Sequence, residues 1–241
     1  MFGGAAWVLF HKSPTPYEVY NDYNSLLVNL FRCFRGKPDL LTRALEYRLN
    51  SREEFLHIAK LFRTGARMTE IEKAADFYLL IRHSYASNTK TFNAQPDSVS
   101  AGFPVIRAAF RRLERTGVII ENRSFDKLIP RYDGHGSFFY LDPPYFGTEK
   151  QYRRSNFSKG SHVILRDILM ETQGKWLLSY NDDPFIRELY NRKNVFIMPV
   201  SRLNNIRQKY EAGCVFPELL IANYDLEERY RERAPEQLML A

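Results

Sequence analysis

The stretch Phe138-Phe139-Tyr140-Leu141-Asp142-Pro143-Pro144-Tyr145 carries the reading of the whole chain. Four consecutive apolar or aromatic residues bounded by turn formers predict a short buried strand, which Asp-Pro-Pro ends. Two successive prolines fix two φ angles and remove two amide donors, so the carbonyls around them point outward as acceptors. An acidic side chain beside such carbonyls can receive the hydrogens of an amino group, and Tyr145 adds a flat face for a ring. Together these residues suit an exocyclic NH₂ on a stacked base, with the nitrogen lone pair left for an incoming electrophile. A base inside a duplex cannot reach such a pocket and has to be flipped out. Asp, Pro and Tyr are also ordinary turn residues, so a rigid strand-ending turn is the competing reading, and the surrounding chain decides between them.

Downstream of the motif, short apolar runs alternate with helical patterns. WLLSY at 176–180, VFIMPV at 195–200 and LLIANY at 219–224 read as strands, with helices at about 161–173 and 183–191. Upstream, VIIE at 118–121 reads the same way. Strands alternating with helices point to an α/β sheet, and the last two strands, with no helix between them, predict an antiparallel return. At the other end, Tyr17 to Asn21 reads as a short strand, followed by a helix from Asn24 to Phe34 that Asn21 or Asp22 could cap. Helices are also predicted from Pro38 to Leu49, from a Ser51/Glu54 capping box to Phe62, from Glu70 to about Ser84, and from Phe103 to Arg115. The polar segment from Tyr85 to Gly102 reads as an exposed loop or hairpin. An α/β layer at both ends is thus interrupted by an all-helical segment near 50–116.

At 241 residues, 44% of them hydrophobic, the chain can bury a full core, which excludes disorder and fibrous repeats. Cys33 and Cys214 lie far apart without metal-ligand spacing, which predicts a reducing, cytoplasmic compartment and no structural metal. No apolar run reaches the roughly 18–20 residues of a membrane span, and Phe2 to Phe10 lacks the flanks of a secretory signal. The net charge of +7 is concentrated in two stretches: 50–116 carries 11 basic and 7 acidic side chains, and 146–209 carries 12 and 6. Both interleave cations with aromatics, among them Arg82, Tyr85, Lys90 and Phe92 in one and Lys150, Tyr152, Arg153 and Phe157 in the other. Cations displace counterions from phosphates while aromatic faces stack on bases, so a polyanion is the natural partner; a solvated basic surface is the alternative.

Over nearly its whole length the chain resembles the Dam-type family of DNA adenine methyltransferases. The resemblance rests on the order Phe2-Gly3-Gly4-Ala5-Ala6, then Asp22 in NDYN, then a helical insertion, then Asp142-Pro143-Pro144-Tyr145 after a strand, then Ser179-Tyr180-Asn181-Asp182 before a helix. It implies a Rossmann-like, S-adenosylmethionine-dependent methyltransferase sheet. The catalytic part would span 1–49 and 117–241, and the target-recognition insertion 50–116. It further implies a glycine loop (Phe2, Gly3, Gly4, Ala5) against the cofactor's methionine part, Asp22 on its ribose, and the Asp142–Tyr145 motif on a flipped adenine. Arg82, Tyr85, Asn88, Lys90 and Asn93, with Lys150 and Arg153, become candidate DNA contacts.

Two departures stand beside the match. Where members carry an Asp-Phe pair, the acid bonding the cofactor's adenine, this chain has Ser124-Phe125, and a hydroxyl accepts more weakly than a carboxylate. The chain also opens at the glycine loop, so the central strand and the motif preceding it in the family are expected to be missing. A catalytically silent DNA-binding remnant is therefore the alternative to an active enzyme, a cytosine amine is the alternative target, and a purely structural α/β protein is a third reading. The histidines at 11, 57, 83, 135 and 162 show no ligand spacing and are expected to be surface or core residues.

Overall fold

The computed structural model describes residues 2–84, 87–93, 99–148, 157–203 and 215–228. Its strands and helices form two compact units, Gly4–Asn122 on one side and Met1–Gly3 with Arg123–Ala241 on the other.

In the unit Gly4–Asn122, a short helix α1 (Trp7–His11) precedes strand β1 (Val19–Asn21), and helices α2 (Ser25–Gly36), α3 (Pro38–Glu46), α4 (Arg52–Thr64), α5 (Glu70–Arg82) and α6 (Phe103–Arg115) lead to β2 (Ile119–Glu121). The two strands pair in parallel, Tyr20 opposite Ile120. α2 begins one residue later than its pattern suggested, and its cap is Asn24, whose side chain accepts from the Leu26 amide, rather than Asn21 or Asp22. At α4 the Ser51 hydroxyl accepts from the Glu54 amide, but Glu54 turns to Arg48 and the Leu49 amide instead of completing the box. Gly65, at φ +69°, ends that helix in the left-handed region that a side chain resists. The complete capping box is at Thr69 and Glu72. Leu41, Leu45, Ile58, Ala74, Ile106 and Leu113 are sealed from solvent in one core, so the helices of 50–116 share it with α2 and α3. At roughly 1.5–3 kcal/mol for each fully buried large aliphatic side chain, this packing outweighs the modest intrinsic propensity of the individual helices.

One buried charge cluster locks the entry to β1. Glu18 accepts two bonds from the Arg112 guanidinium, at 2.7 and 2.9 Å, and one from Lys12, while Arg112 also donates to the Leu9 carbonyl. Burial alone would push the Glu18 carboxyl up, but the bonds from Arg112, Lys12 and the Thr15 amide outweigh it and hold the group at about 2.

The other unit contains α7 (Phe125–Tyr132), β3 (Phe138–Leu141), α8 (Lys159–Glu171), β4 (Lys175–Asn181), α9 (Pro184–Tyr190), β5 (Phe196–Leu203) and β6 (Val215–Ala222). The sheet order is β3-β4-β6-β5, with β3 and β4 parallel and both other pairings antiparallel. The antiparallel return of the last two strands is as their connection predicted. Pro199 sits in β5, at the sheet's edge, where a missing amide costs least. Trp176, Tyr180, Tyr190, Leu165 and Leu169 fill the core, and the Trp176 indole donates to the Leu169 carbonyl at 3.0 Å. No helix among the described residues is long and apolar enough to cross a membrane.

Candidate active site

β3 ends at Leu141 and β4 at Asn181, so Asp142–Tyr145 and Asn181 emerge at the carboxyl ends of two neighbouring parallel strands. Open α/β sheets gather their ligand groups there. Asp142 is exposed, whereas Pro143 and Pro144 are buried. An aspartate commonly closes a turn on the amide two residues ahead, but Pro144 has no N–H to offer.

Three side chains fix the rest of the motif. The Asn181 amide clasps the backbone of Phe146, accepting from its N–H at 3.0 Å and donating to its carbonyl at 3.2 Å. The Tyr145 hydroxyl donates to Glu218 Oε1 at 3.1 Å and lies 3.4 Å from Ser179 Oγ. Burial above all, with the nearby Asp142 and Glu218 carboxylates, pushes the Tyr145 phenol well above its ordinary range, and Tyr140 is raised by the same three influences. Glu218 is absent from the sequence reading. Its one visible signal is an acid inside an otherwise apolar strand, Val215–Ala222. Beyond Tyr145, Phe146 stacks on Phe185 with ring centres 4.5 Å apart, and the Lys159 ammonium lies 4.7 Å from the Phe185 ring centre. His162 is a core residue, fully buried with Nδ1 2.6 Å from the Tyr180 hydroxyl.

In the same unit Phe2, Phe125 and Phe157 form a closed aromatic trio, with ring centres 5.5–5.8 Å apart. The family resemblance implies Phe2 and Phe125 separately as cofactor residues; Phe157, part of a basic-aromatic stretch of the sequence, joins them. Ser124 caps α7 by position, but its hydroxyl makes no capping bond.

In the unit Gly4–Asn122, the glycine loop is tied to the end of β1. The Gly4 amide donates to Asp22 Oδ2 and the Asn24 amide to Oδ1, both at 2.8 Å, while the Tyr20 hydroxyl donates to the Gly4 carbonyl at 2.8 Å. Asn122, just past β2, donates to the carbonyls of Asp22 and Tyr23. Gly4 at φ +47° and Ala6 at +59° give the loop its left-handed turn. Tyr20 and Asn122 are thus supports that the sequence alone did not single out.

The described residues on either side of the segment after α5 are joined to each other. Ser84 bridges to Phe92, and the Asn93 amide donates to the His83 carbonyl at 2.8 Å. Asn88 accepts from the amides of Lys90 and Thr91, so its side-chain carbonyl builds the turn while the residue remains exposed. Lys90 is exposed; Arg82 is half-buried and bonds to the Tyr78 hydroxyl. Tyr85, Lys150 and Arg153 lie outside the described residues.

Residues 1–206 match the family described as D12 class N6 adenine-specific DNA methyltransferase. The chain belongs to that family. Among its relatives are the type II methyltransferase M1.LlaDCHI of Lactococcus lactis subsp. cremoris, 28% identical over 92% of this chain and 84% of its own length, and the type II methyltransferase M.CviBI of Paramecium bursaria Chlorella virus NC1A, 24% identical over 79% and 75%. The D12 class membership makes the chain a DNA methyltransferase of adenine specificity, with DNA as its substrate. Within the unit Gly4–Asn122, each Asp22 oxygen keeps a lone pair after accepting one amide, which suits the hydroxyls of a nucleoside cofactor.

Proposed function

We propose that this D12-class chain transfers a methyl group from S-adenosylmethionine to the N6 amino group of an adenine flipped out of duplex DNA, and that Asp142–Tyr145 is where the amine is held. The observation that carries the reading is an exposed carboxylate, Asp142, at the carboxyl end of a parallel strand, followed by two buried prolines and by Tyr145. The Asp142 carboxylate and the Pro143 carbonyl accept the two amine hydrogens and turn the nitrogen lone pair outward. Tyr145 stacks on the purine. The cofactor, when bound, supplies an electrophilic methyl group carried on a sulfonium. As the amine nitrogen forms its new bond to the methyl carbon and the carbon–sulfur bond breaks to leave a neutral thioether, positive charge grows on the nitrogen, and Asp142 and the Pro143 carbonyl would stabilise it. The surplus proton, acidic once nitrogen is methylated, leaves past Asp142 to solvent, so no strong base is needed.

On the cofactor side, Phe2, Gly3, Gly4 and Ala5 form the loop against the methionine part. Asp22 accepts from the ribose hydroxyls, and Ser124 and Phe125 meet the adenine. The catalytic part spans 1–49 and 117–241 as a Rossmann-like methyltransferase sheet, and 50–116 is the target-recognition insertion. Arg82, Tyr85, Asn88, Lys90 and Asn93 within it, with Lys150 and Arg153 from the second basic stretch of the sequence, are the DNA contacts. Parallel pairing of β1 with β2 in a two-stranded sheet, and of β3 with β4 in a four-stranded sheet that returns antiparallel through β6 and β5, supports the α/β part of that assignment.

The test is incubation with methyl-labelled S-adenosylmethionine and duplex DNA of mixed sequence, followed by base analysis. The expected product is N6-methyladenine at a defined site. N4-methylcytosine would transfer the chemistry to the other exocyclic amine, and DNA binding without label transfer would identify a silent remnant.

A further inference from the structure

The Tyr145 ring is held at two ends by a single cross-strand pair. Asn181 and Glu218 face each other in the β4–β6 register. Asn181 grips the backbone of Phe146, the residue after Tyr145, through both halves of its amide. Glu218 accepts from the tyrosine hydroxyl at 3.1 Å at the opposite end of the ring. Ser179, two residues before Asn181 in β4, adds an oxygen 3.4 Å from that hydroxyl. A ring tethered only at Cα can tilt and turn about its two side-chain torsions; one also tethered at the hydroxyl keeps its plane before any ligand arrives.

We propose that Glu218 is a positioning residue for the methyl-transfer site: as hydrogen-bond acceptor it sets the plane of the Tyr145 ring against which the flipped base stacks. The inference rests on the reading of Tyr145 as the stacking residue. Acceptance, not charge, is what Glu218 contributes, because the tyrosine donates a neutral O–H, and burial keeps that group protonated across the working pH range. Misplacing a base by a fraction of an ångström relative to the reacting carbon lowers the rate of the bound complex rather than its formation.

The experiment measures kcat and both KM values for Glu218→Ala, Glu218→Gln, Tyr145→Phe, the double variant Glu218→Ala/Tyr145→Phe, and Tyr145→Ala, on a duplex carrying a site mapped with the unaltered protein. Glu218→Ala and Tyr145→Phe are each expected to lose about tenfold in kcat while KM for S-adenosylmethionine stays within about twofold. The double variant should lose no more than either single one, because both remove the same bond. Glu218→Gln, which keeps an acceptor, should restore kcat to within about threefold of the unaltered protein. Multiplied losses in the double variant, or an unaltered kcat in Tyr145→Phe, would overturn the assignment; the latter arm holds even if Glu218→Ala does not fold. If Tyr145→Ala abolishes transfer while Glu218→Ala and Tyr145→Phe do not, the stacking role stands and only the positioning role falls. If Tyr145→Ala also leaves kcat unchanged, the stacking role itself fails.

Discussion

Asp22 and Asp142 occupy equivalent places, each the first residue after a strand of a parallel pair, and they are satisfied in opposite ways. Asp22 is followed by Tyr23 and Asn24, and the Asn24 amide turns back onto Oδ1 while the Gly4 amide takes Oδ2. Asp142 is followed by two prolines, and a proline at the second position has no amide to turn back. One carboxylate is therefore a fastener that holds a loop, with spare lone pairs for a ligand's hydroxyls. The other is exposed at its strand end, and the residue two ahead of it offers no backbone N–H. The same residue type at the same topological position thus meets a different backbone according to whether its second neighbour carries an N–H.

Substitutions can break or sharpen that contrast. The largest effect belongs to the other acid on β1's side, Glu18, which is buried and ion-paired with Arg112. Its carboxyl is held at about 2, below the ordinary 4.5, so its stabilisation is complete above about pH 4.5 and is lost as pH falls toward 2. Glu18→Gln should cost about 3 kcal/mol at neutral pH, and its denaturation midpoint should lose most of its dependence on pH between those limits. Asp22→Ala should cost about 2 kcal/mol in chemical denaturation by freeing two backbone amides, and should weaken S-adenosylmethionine binding in calorimetry. Pro144→Ala gives Asp142 the amide it lacks. An unaltered fold with methylation slowed by about tenfold is expected, because the carboxylate is drawn onto its own backbone. Smallest is Ser124→Asp, where a carboxylate replaces a hydroxyl that makes no capping bond. Cofactor affinity should rise by about threefold in titration, with a slight gain in stability from the new cap on α7.

Local features of the fold were legible because local chemistry decides them. Phe138–Leu141 and Phe103–Arg115 carry their periodicity and stop signals within the segment, and both elements fall where those signals lie. α7 leaves little trace in the sequence, since Pro130 stands inside its eight residues and Ser124 makes no side-chain capping bond at its start. The Ser51/Glu54 box is half made because Arg48 and the Leu49 amide compete for the same carboxylate, a tertiary outcome invisible to spacing. At the candidate site the motif residues could be named from the chain alone, but their supports could not. Glu218 lies 73 residues from Tyr145, and only strand register brings them together. Tyr20 and Asn122 likewise act through bonds to backbone carbonyls, which leave no mark in composition.

The most direct test of the account is single-turnover methylation of duplex DNA by Asp142→Ala beside the unaltered protein, with folding checked by denaturation and S-adenosylmethionine affinity by calorimetry. If Asp142 holds the amine, the variant folds and binds cofactor while its transfer rate falls by about two to three orders of magnitude. Transfer at the unaltered rate would contradict the assignment of the amine site to Asp142.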